Sequence, residues 1–191
     1  MVENFINDKI YNECDFKENH LKISEYENCI FNDCDFSNTD ISDIKFFNCT
    51  FNTCNLSLVK LIKTSFRDII FKDCKLLGLH FENCNEFGLT FSFNNCILNH
   101  SSFYSLKIKN TVFINSQLQE VDFTNCDLTN SIFDNCDLTL ARFDSTILEK
   151  VDFHSAINFS IDPEKNKIKK AKFSKYGLTG LLDKYDIDFD N

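Results

Sequence analysis

The sequence predicts an all-β solenoid, a coil with four short sides per turn, on three observations. Large apolar residues recur at every fifth position: Phe31, Phe36, Ile41, Phe46, Phe51 and Leu56 belong to a register that runs without a gap from Ile6 to Phe81. Like residues also recur every twenty, with Cys14, Cys34, Cys54 and Cys74 in one column and Phe103, Phe123 and Phe143 in another. Around each apolar centre the chemistry is ordered: a small residue two before it, often Asp or Asn one before it, and Asn, Asp, Ser or Thr after it. A period of five fits neither a helix nor a strand, so the repeat itself decides the fold. Four pentapeptides close one turn, successive turns lie roughly 4.8 Å apart, and each turn buries its neighbours' interior.

Taken in chain order, the first block holds one phase to Phe81, and Phe31, Phe51, Phe71 and Phe91 read as one twenty-residue ladder. Over 84–97 (CNEFGLTFSFNNCI) the phase slips by two, which predicts a bulge or short loop. The register then resumes from Phe93 through Leu98, Phe103, Ile108 and Phe113 to Phe153. The positions two after each centre form corners, where Asn and Asp tolerate unusual backbone angles and bond their own backbone. This explains frequent turning with only four Gly and one Pro. The ten cysteines point inward one coil apart and form no CxxC pair, which predicts free buried thiols rather than disulfides or a metal site.

After Phe153 the pattern fails through Asn158 and Pro163, which predicts an irregular loop over 158–170, basic through Lys165, Lys167, Lys169 and Lys170, although Ala171 and Phe173 fall where one more coil would place them. Tyr176, Leu178, Leu181, Leu182 and Tyr185 then have spacings compatible with a short amphipathic helix. A coil end exposes strand edges and needs cover. The organisation predicted is therefore a solenoid over 1–173 and a helix with an acidic tail over 174–191, acting as a cap or as a twofold dimerisation element.

Segments such as CDFSNTDIS, CDLTNSIFDNCDLTLARF and CKLLGLHFENC resemble the pentapeptide-repeat family, over about residues 6 to 158. The resemblance implies a right-handed quadrilateral β-helix. Among its members the chain is similar to the quinolone-resistance proteins of the Qnr and MfpA type, acidic rod-like dimers proposed to mimic DNA on DNA gyrase or topoisomerase IV. No insertion the size of the long Qnr loops interrupts it, so it lies nearer the MfpA-like members. The resemblance implies a homodimer paired through the C-terminal end, with Phe173, Tyr176, Leu178, Leu181, Leu182 and Tyr185 as the pairing residues.

No catalytic constellation accompanies the four histidines, and there is no Gly-rich phosphate loop or metal-ligand spacing, so neither an enzyme nor a cofactor is expected. No apolar segment is long enough for a membrane helix. The opening MVENFINDKI lacks a signal-peptide pattern, and many free thiols suit a reducing cytoplasm. The net charge of −9 argues against direct nucleic-acid binding. Acids are dense over 120–152, eight against two bases, and Asp122, Asp127, Asp134, Asp137, Asp144 and Asp152 are the candidate partner-binding residues. The expected partner is a type II topoisomerase, which the rod would protect from fluoroquinolones. The alternative is a structural adaptor for another protein, with the outward Ile30, Ile70, Val112, Ile114 and Ile132 as a possible apolar face. A dimer would carry 2 × −9 = −18, under half of the roughly forty charges on ~70 Å of duplex DNA.

Overall fold

The computed structural model describes residues 5–188, so the outermost residues of the two predicted ranges, 1–4 and 189–191, lie outside the described residues. The chain winds as a parallel β-solenoid with four sides per coil, numbered here in chain order. Side one begins as a four-stranded sheet of β1 (Phe5–Asn7), β3 (Glu25–Glu27), β5 (Lys45–Phe47) and β7 (Ser65–Arg67). Side two is a nine-stranded sheet, one strand per coil: β2 (Ile10–Asn12), β4 (Ile30–Asn32), β6 (Thr50–Asn52), β8 (Ile69–Lys72), β9 (Phe91–Asn94), β10 (Val112–Ile114), β11 (Ile132–Asp134), β12 (Asp152–Phe153) and β13 (Lys172–Phe173). Sides three and four are joined by single parallel bridges, such as Asp35 to Asn55 and Asp122 to Arg142.

The five-residue period fills the tube. Behind side two, Tyr11, Phe31, Phe51, Phe71, Phe93, Phe113, Phe133, Phe153 and Phe173 stack ring on ring, with centroids 4.7 to 5.4 Å apart. On the opposite wall Phe81, Phe103, Phe123 and Phe143 form a second stack that meets the first edge-on. The ring of Phe71 therefore stacks on Phe93, and the ladder read from the sequence through Phe91 is corrected by two residues. β8 pairs with β9 as Phe71 with Phe93, so this coil contains 22 residues.

The two extra residues are absorbed on side one, between Asn85 and Thr90. There Gly88 takes φ +71 and exposed Phe87 turns outward. The Arg67 guanidinium lies between the rings of Phe47 and Phe87, at 4.7 and 4.8 Å, and its Nε–H donates to the Phe87 carbonyl (3.2 Å). This cation–π sandwich clamps the bulge. A Cβ at Gly88 would press on Arg67 at 3.0 Å. The slip predicted near Glu86 is thus a bulge of two residues, and side two passes it in register.

Left-handed backbone recurs at the corner after most centres, for example Asn38 (φ 58), Asn125 (φ 60) and Asn130 (φ 62). Asn and Asp supply most of these corners because their side chains tolerate that region. Leu140 occupies one at φ 57 while 70% exposed, and so has strain without compensating burial. Leu140→Asn should raise stability by about 0.5–1 kcal/mol; an unchanged urea midpoint would contradict this.

All ten cysteines are free, and all but Cys14 are buried. Burial pushes the thiols of Cys49, Cys126 and Cys136 up to about 12, and inward Sγ–H groups donate to backbone carbonyls, as from Cys54 to Phe31 (3.3 Å). A native-state Ellman titration should count one prompt thiol, Cys14, with the others appearing only on denaturation; two or more prompt thiols would refute that packing.

The chain end differs from its sequence reading in two respects. The basic stretch is not a continuous loop, since Lys167 bridges Ile147 and Lys172–Phe173 pairs with Asp152–Phe153. Asn166 replaces the small inward residue of its column: its Oδ1 accepts from the Thr146 N–H (2.9 Å) and its Nδ2 donates to the Phe143 carbonyl (2.8 Å). The irregular part is confined to 158–165. The terminal segment, moreover, forms 3₁₀ turns over Tyr176–Leu181 and Asp183–Tyr185 rather than an α-helix. Gly180 fits directly against Phe159, and the Ile161 N–H donates to the Gly180 carbonyl (2.8 Å). Two glycines in six residues weaken an α-helix but permit this close docking. Among the described residues no helix is long and apolar enough to cross a membrane.

Candidate interaction surface

The interior is filled by apolar side chains, so the groups able to meet a partner are the outward ones and the two ends. The six acids over 120–152 do not form one cluster. By their place in the repeat, Asp127 lies on side one, Asp134 and Asp152 on side two, Asp137 on side three, and Asp122 and Asp144 on side four. Only Asp134 and Asp152 are brought together, around a hollow of about 330 Å³ that also meets His154, Ser155 and Lys172.

Four of these acids have a local duty. The residue before a centre precedes a corner, and its carboxylate accepts the N–H two residues on. Asp122 accepts from Thr124 (2.9 Å), Asp127 from Thr129 (3.1 Å), Asp137 from Thr139 (3.1 Å) and Asp152 from His154 (3.0 Å). Such Asx turns explain why Asp recurs at this position in a chain so poor in Gly and Pro. Two acids also face cations: Asp127 lies 3.0 Å from Lys109 Nζ, and Asp152 lies 3.0 Å from Lys172 Nζ. Asp134 accepts from Ser155 Oγ (2.6 Å).

Electrostatics follow these bonds. Partial burial pushes the Asp137 carboxyl up, but donors from Thr139, Gln119 and Asn158 outweigh it and bring the pKa down to about 2. Burial likewise opposes, and the Thr129 and Lys109 donors override, at Asp127, whose carboxyl is held below its ordinary value. The folded-state value of Asp137 is depressed, so its stabilisation is full above about pH 4 and is lost as pH falls through about 2. Asp137→Asn should cost about 1 kcal/mol at pH 7 in this partly solvated place. The gap should narrow as pH falls from about 4 and close only below about pH 2; a gap constant with pH would show that the charge does not contribute.

The C-terminal residues separate into two groups. Phe173 is the last ring of the ladder, stacked on Phe153 at 5.4 Å and tilted against Phe159 at 5.5 Å. Leu178, Leu181, Leu182 and Tyr185 meet around an apolar hollow with Pro163 and Glu164, while Tyr176 is 87% exposed. Lys184 fastens this cap, at 2.7 Å from Asp162 and 2.8 Å from Glu164. Hydrogen bonding to these two acids holds its ammonium above the ordinary value. Tyr185 Oη donates to Glu164 (3.0 Å). Among the described residues no three of His, Cys, Asp and Glu converge to hold a metal ion.

Sequence reasoning missed the Arg67 sandwich, because Phe47, Arg67 and Phe87 are twenty residues apart at polar positions and only the coil stacks them. It also missed the turn-forming duty of the aspartates, although their fixed place before each centre was the available signal.

Residues 87–157 match the family model described as a pentapeptide repeat region. A trypsin-treated form of QnrB1, a plasmid-mediated fluoroquinolone resistance protein, is similar with a TM-score of 0.64 at 14% identity, covering 97% of this chain and 100% of that one. Full-length QnrB1 gives 0.54 at 15% identity, covering 96% and 100%. HetL, a pentapeptide repeat protein involved in heterocyst differentiation regulation from the cyanobacterium Nostoc, gives 0.44 at 14% identity, covering 90% and 88%. No curated protein sequence matches the chain significantly. At these identities the likeness is one of fold.

Proposed function

We propose that this chain, which matches the pentapeptide repeat over 87–157 and folds as a β-solenoid like that of QnrB1, is a non-enzymatic rod that acts by presenting its outer sides to a partner protein, a type II topoisomerase such as DNA gyrase. One observation carries this reading: the interior is filled with stacked rings, and among the described residues no charged side chain is buried, so the acidic excess of a chain with net charge −9 is presented on the outside. Nine strands at ~4.8 Å spacing make a rod about 38 Å long, over which duplex DNA would carry about 22 charges. The rod is therefore less charged than DNA. It would compete for a basic DNA-binding groove by shape and by electrostatic steering, and so would relieve fluoroquinolone action there. Ten free thiols fit a cytoplasmic setting.

The apolar hollow of Leu178, Leu181, Leu182 and Tyr185 supports pairing of two such rods through their C-terminal ends. Light scattering on a chain carrying Leu181→Asp and Leu182→Asp tests the pairing, which predicts loss of the dimer.

The functional test is a gyrase supercoiling assay with and without a fluoroquinolone. The protein should alter supercoiling, less so as salt rises, and Asp134→Lys with Asp144→Lys should weaken the effect because neither forms a corner turn. No effect at low salt and molar excess would sink the topoisomerase reading. A second reading, an adaptor for another protein, is favoured by the outward aliphatic residues of side two; a pull-down lacking topoisomerase but enriched in one other partner would support it.

A further inference from the structure

At the entry to side three, one interior column holds five cysteines in succession: Cys14, Cys34, Cys54, Cys74 and Cys96, one per coil. The residues that follow them, Asp15, Asp35, Asn55, Lys75 and Ile97, bridge one another in register. Each inner sulfur takes the same place, between a carbonyl two residues back and one in the coil below. Cys34 Sγ lies 3.2 Å from the Asn32 carbonyl oxygen and 3.7 Å from that of Tyr11. Cys54 Sγ lies 3.3 Å from those of Asn52 and Phe31, and Cys74 Sγ lies 3.2 Å from that of Lys72 and 3.3 Å from that of Phe51. One repeated placement sets successive sulfurs about a coil spacing apart, ~4.8 Å. Cys34 meets Cys54, Cys54 meets Cys74 and Cys74 meets Cys96, side chain to side chain. Ser116 takes the next place, its Oγ accepting from the Cys96 N–H (3.1 Å), and so separates Cys136 from the run.

Packing alone requires only a small residue here, as Ser116 and Ala156 show in the same column. Two features set the first pair apart from that duty. Cys14 is the one cysteine that is not buried, while Cys34 directly above it is 2% exposed. Coil one also ends the stack, since β2 is the terminal strand of side two and pairs with β4 alone. An accessible thiol with a second thiol behind it is the arrangement that captures an oxidant and then resolves it. Cα atoms one coil apart fall within the about 4.4–6.8 Å that a disulfide spans.

We propose that Cys14 and Cys34 form a peroxide-reactive pair, in which Cys14 takes the oxidant and Cys34 closes a disulfide that staples coil one to coil two. The Cys14 thiolate attacks one oxygen of hydrogen peroxide and the O–O bond breaks. The departing hydroxide takes up a proton to become water, and Cys14 is left as a sulfenic acid. The Cys34 sulfur then attacks the Cys14 sulfur. The S–S bond forms, the S–O bond breaks, and the hydroxyl leaves as water with the Cys34 proton. The two thiols lose two electrons and the peroxide gains them. The Cys14 backbone N–H hydrogen-bonds the Cys34 sulfur and so favours the anion formed as that proton departs. Cys29 and Cys49 are stacked in the same way but are both buried, out of reach of the oxidant. The site does not depend on any topoisomerase partner.

Peroxide treatment of the reduced full chain, followed by alkylation and peptide mapping by mass spectrometry, tests this pair. A Cys14–Cys34 disulfide should form and be reversed by dithiothreitol, with the other eight cysteines alkylated. Cys34→Ser, a change the column already accommodates at Ser116, should lose the link and leave Cys14 as a sulfenic acid that dimedone traps. Cys54→Ser should leave the link unchanged. Hydrogen exchange gives the second readout: oxidation should slow the amides of Asp8, Glu13 and Phe16, which bond upward to coil two, severalfold. An unreactive Cys14, a sulfinic or sulfonic acid at Cys14 with Cys34 still reduced, or a Cys14–Cys14 link between chains would overturn the proposal. So would disulfides that form as readily at Cys29 and Cys49. Should Cys34→Ser misfold, the map of the unaltered chain decides alone.

Discussion

Phe113→Ala is expected to destabilise the solenoid by about 4–5 kcal/mol, the upper part of the range for a buried Phe. Phe113 is fully buried, stacks on Phe93 at 5.1 Å and on Phe133 at 4.8 Å, and meets Phe103 and Phe123 edge-on. Its removal deletes ring contacts on four sides, and each aromatic pair contributes about 0.5–1.5 kcal/mol beyond area burial. The cavity cannot collapse easily, because β10 is held between β9 and β11 by parallel ladders of fixed spacing. Phe113→Leu keeps most of the volume and should recover more than half of the loss. Denaturant titrations of the two variants measure this; a loss below about 2 kcal/mol for alanine would mean that the tube relaxes.

Gly180→Ala should detach the C-terminal cap. An added Cβ would collide with the Phe159 carbonyl oxygen and sit 3.0 Å from its ring. Backbone cannot yield as a side chain can, so the 3₁₀ segment must lift and the bond from the Ile161 N–H to the Gly180 carbonyl must break. Overpacking and the lost bond together cost about 3 kcal/mol. The effect should be local, with hydrogen exchange rising over 159–165 and 174–185 while the nine-stranded sheet, β13 included, stays protected. Exchange unchanged in the cap would show that Gly180 is not tightly seated. Lys184, paired with Asp162 and Glu164, is too exposed to hold the cap alone.

Much of this architecture is legible in the amino-acid sequence, because a twenty-residue coil converts sequence spacing directly into contact. Cys34 over Cys54 and Phe123 over Phe143 required only counting. What escaped had a physical cause in each case. Phe91 was placed in the ladder because spacing alone cannot tell on which side two extra residues are absorbed; the bulge on side one hands the position to Phe93. The terminal helix was read from apolar spacing, while two glycines packed on Phe159 favour tighter turns. Asn166 was unreadable as an interior residue, since a buried amide is acceptable only when bonded, and its partners lie 20 and 23 positions away. The candidate acids were visible as composition, but their dispersal over four sides depends on position within the coil. Most of them form corners before they can meet any partner.

The bulge at side one has a consequence for how such a protein changes length. Every rung bonds only to the rungs above and below it, so a whole coil, such as residues 114–133, could be removed and the flanking rungs would meet in the same phase. The molecule is in effect a ruler graduated in steps of about 4.8 Å, on which insertions of twenty residues are silent to the interior. An insertion of two is tolerated here only where one side surrenders its strand and Arg67 closes the gap. Evolution of reach in this chain is thus quantised, and among the described residues its one off-scale mark is at Gly88 and its neighbours.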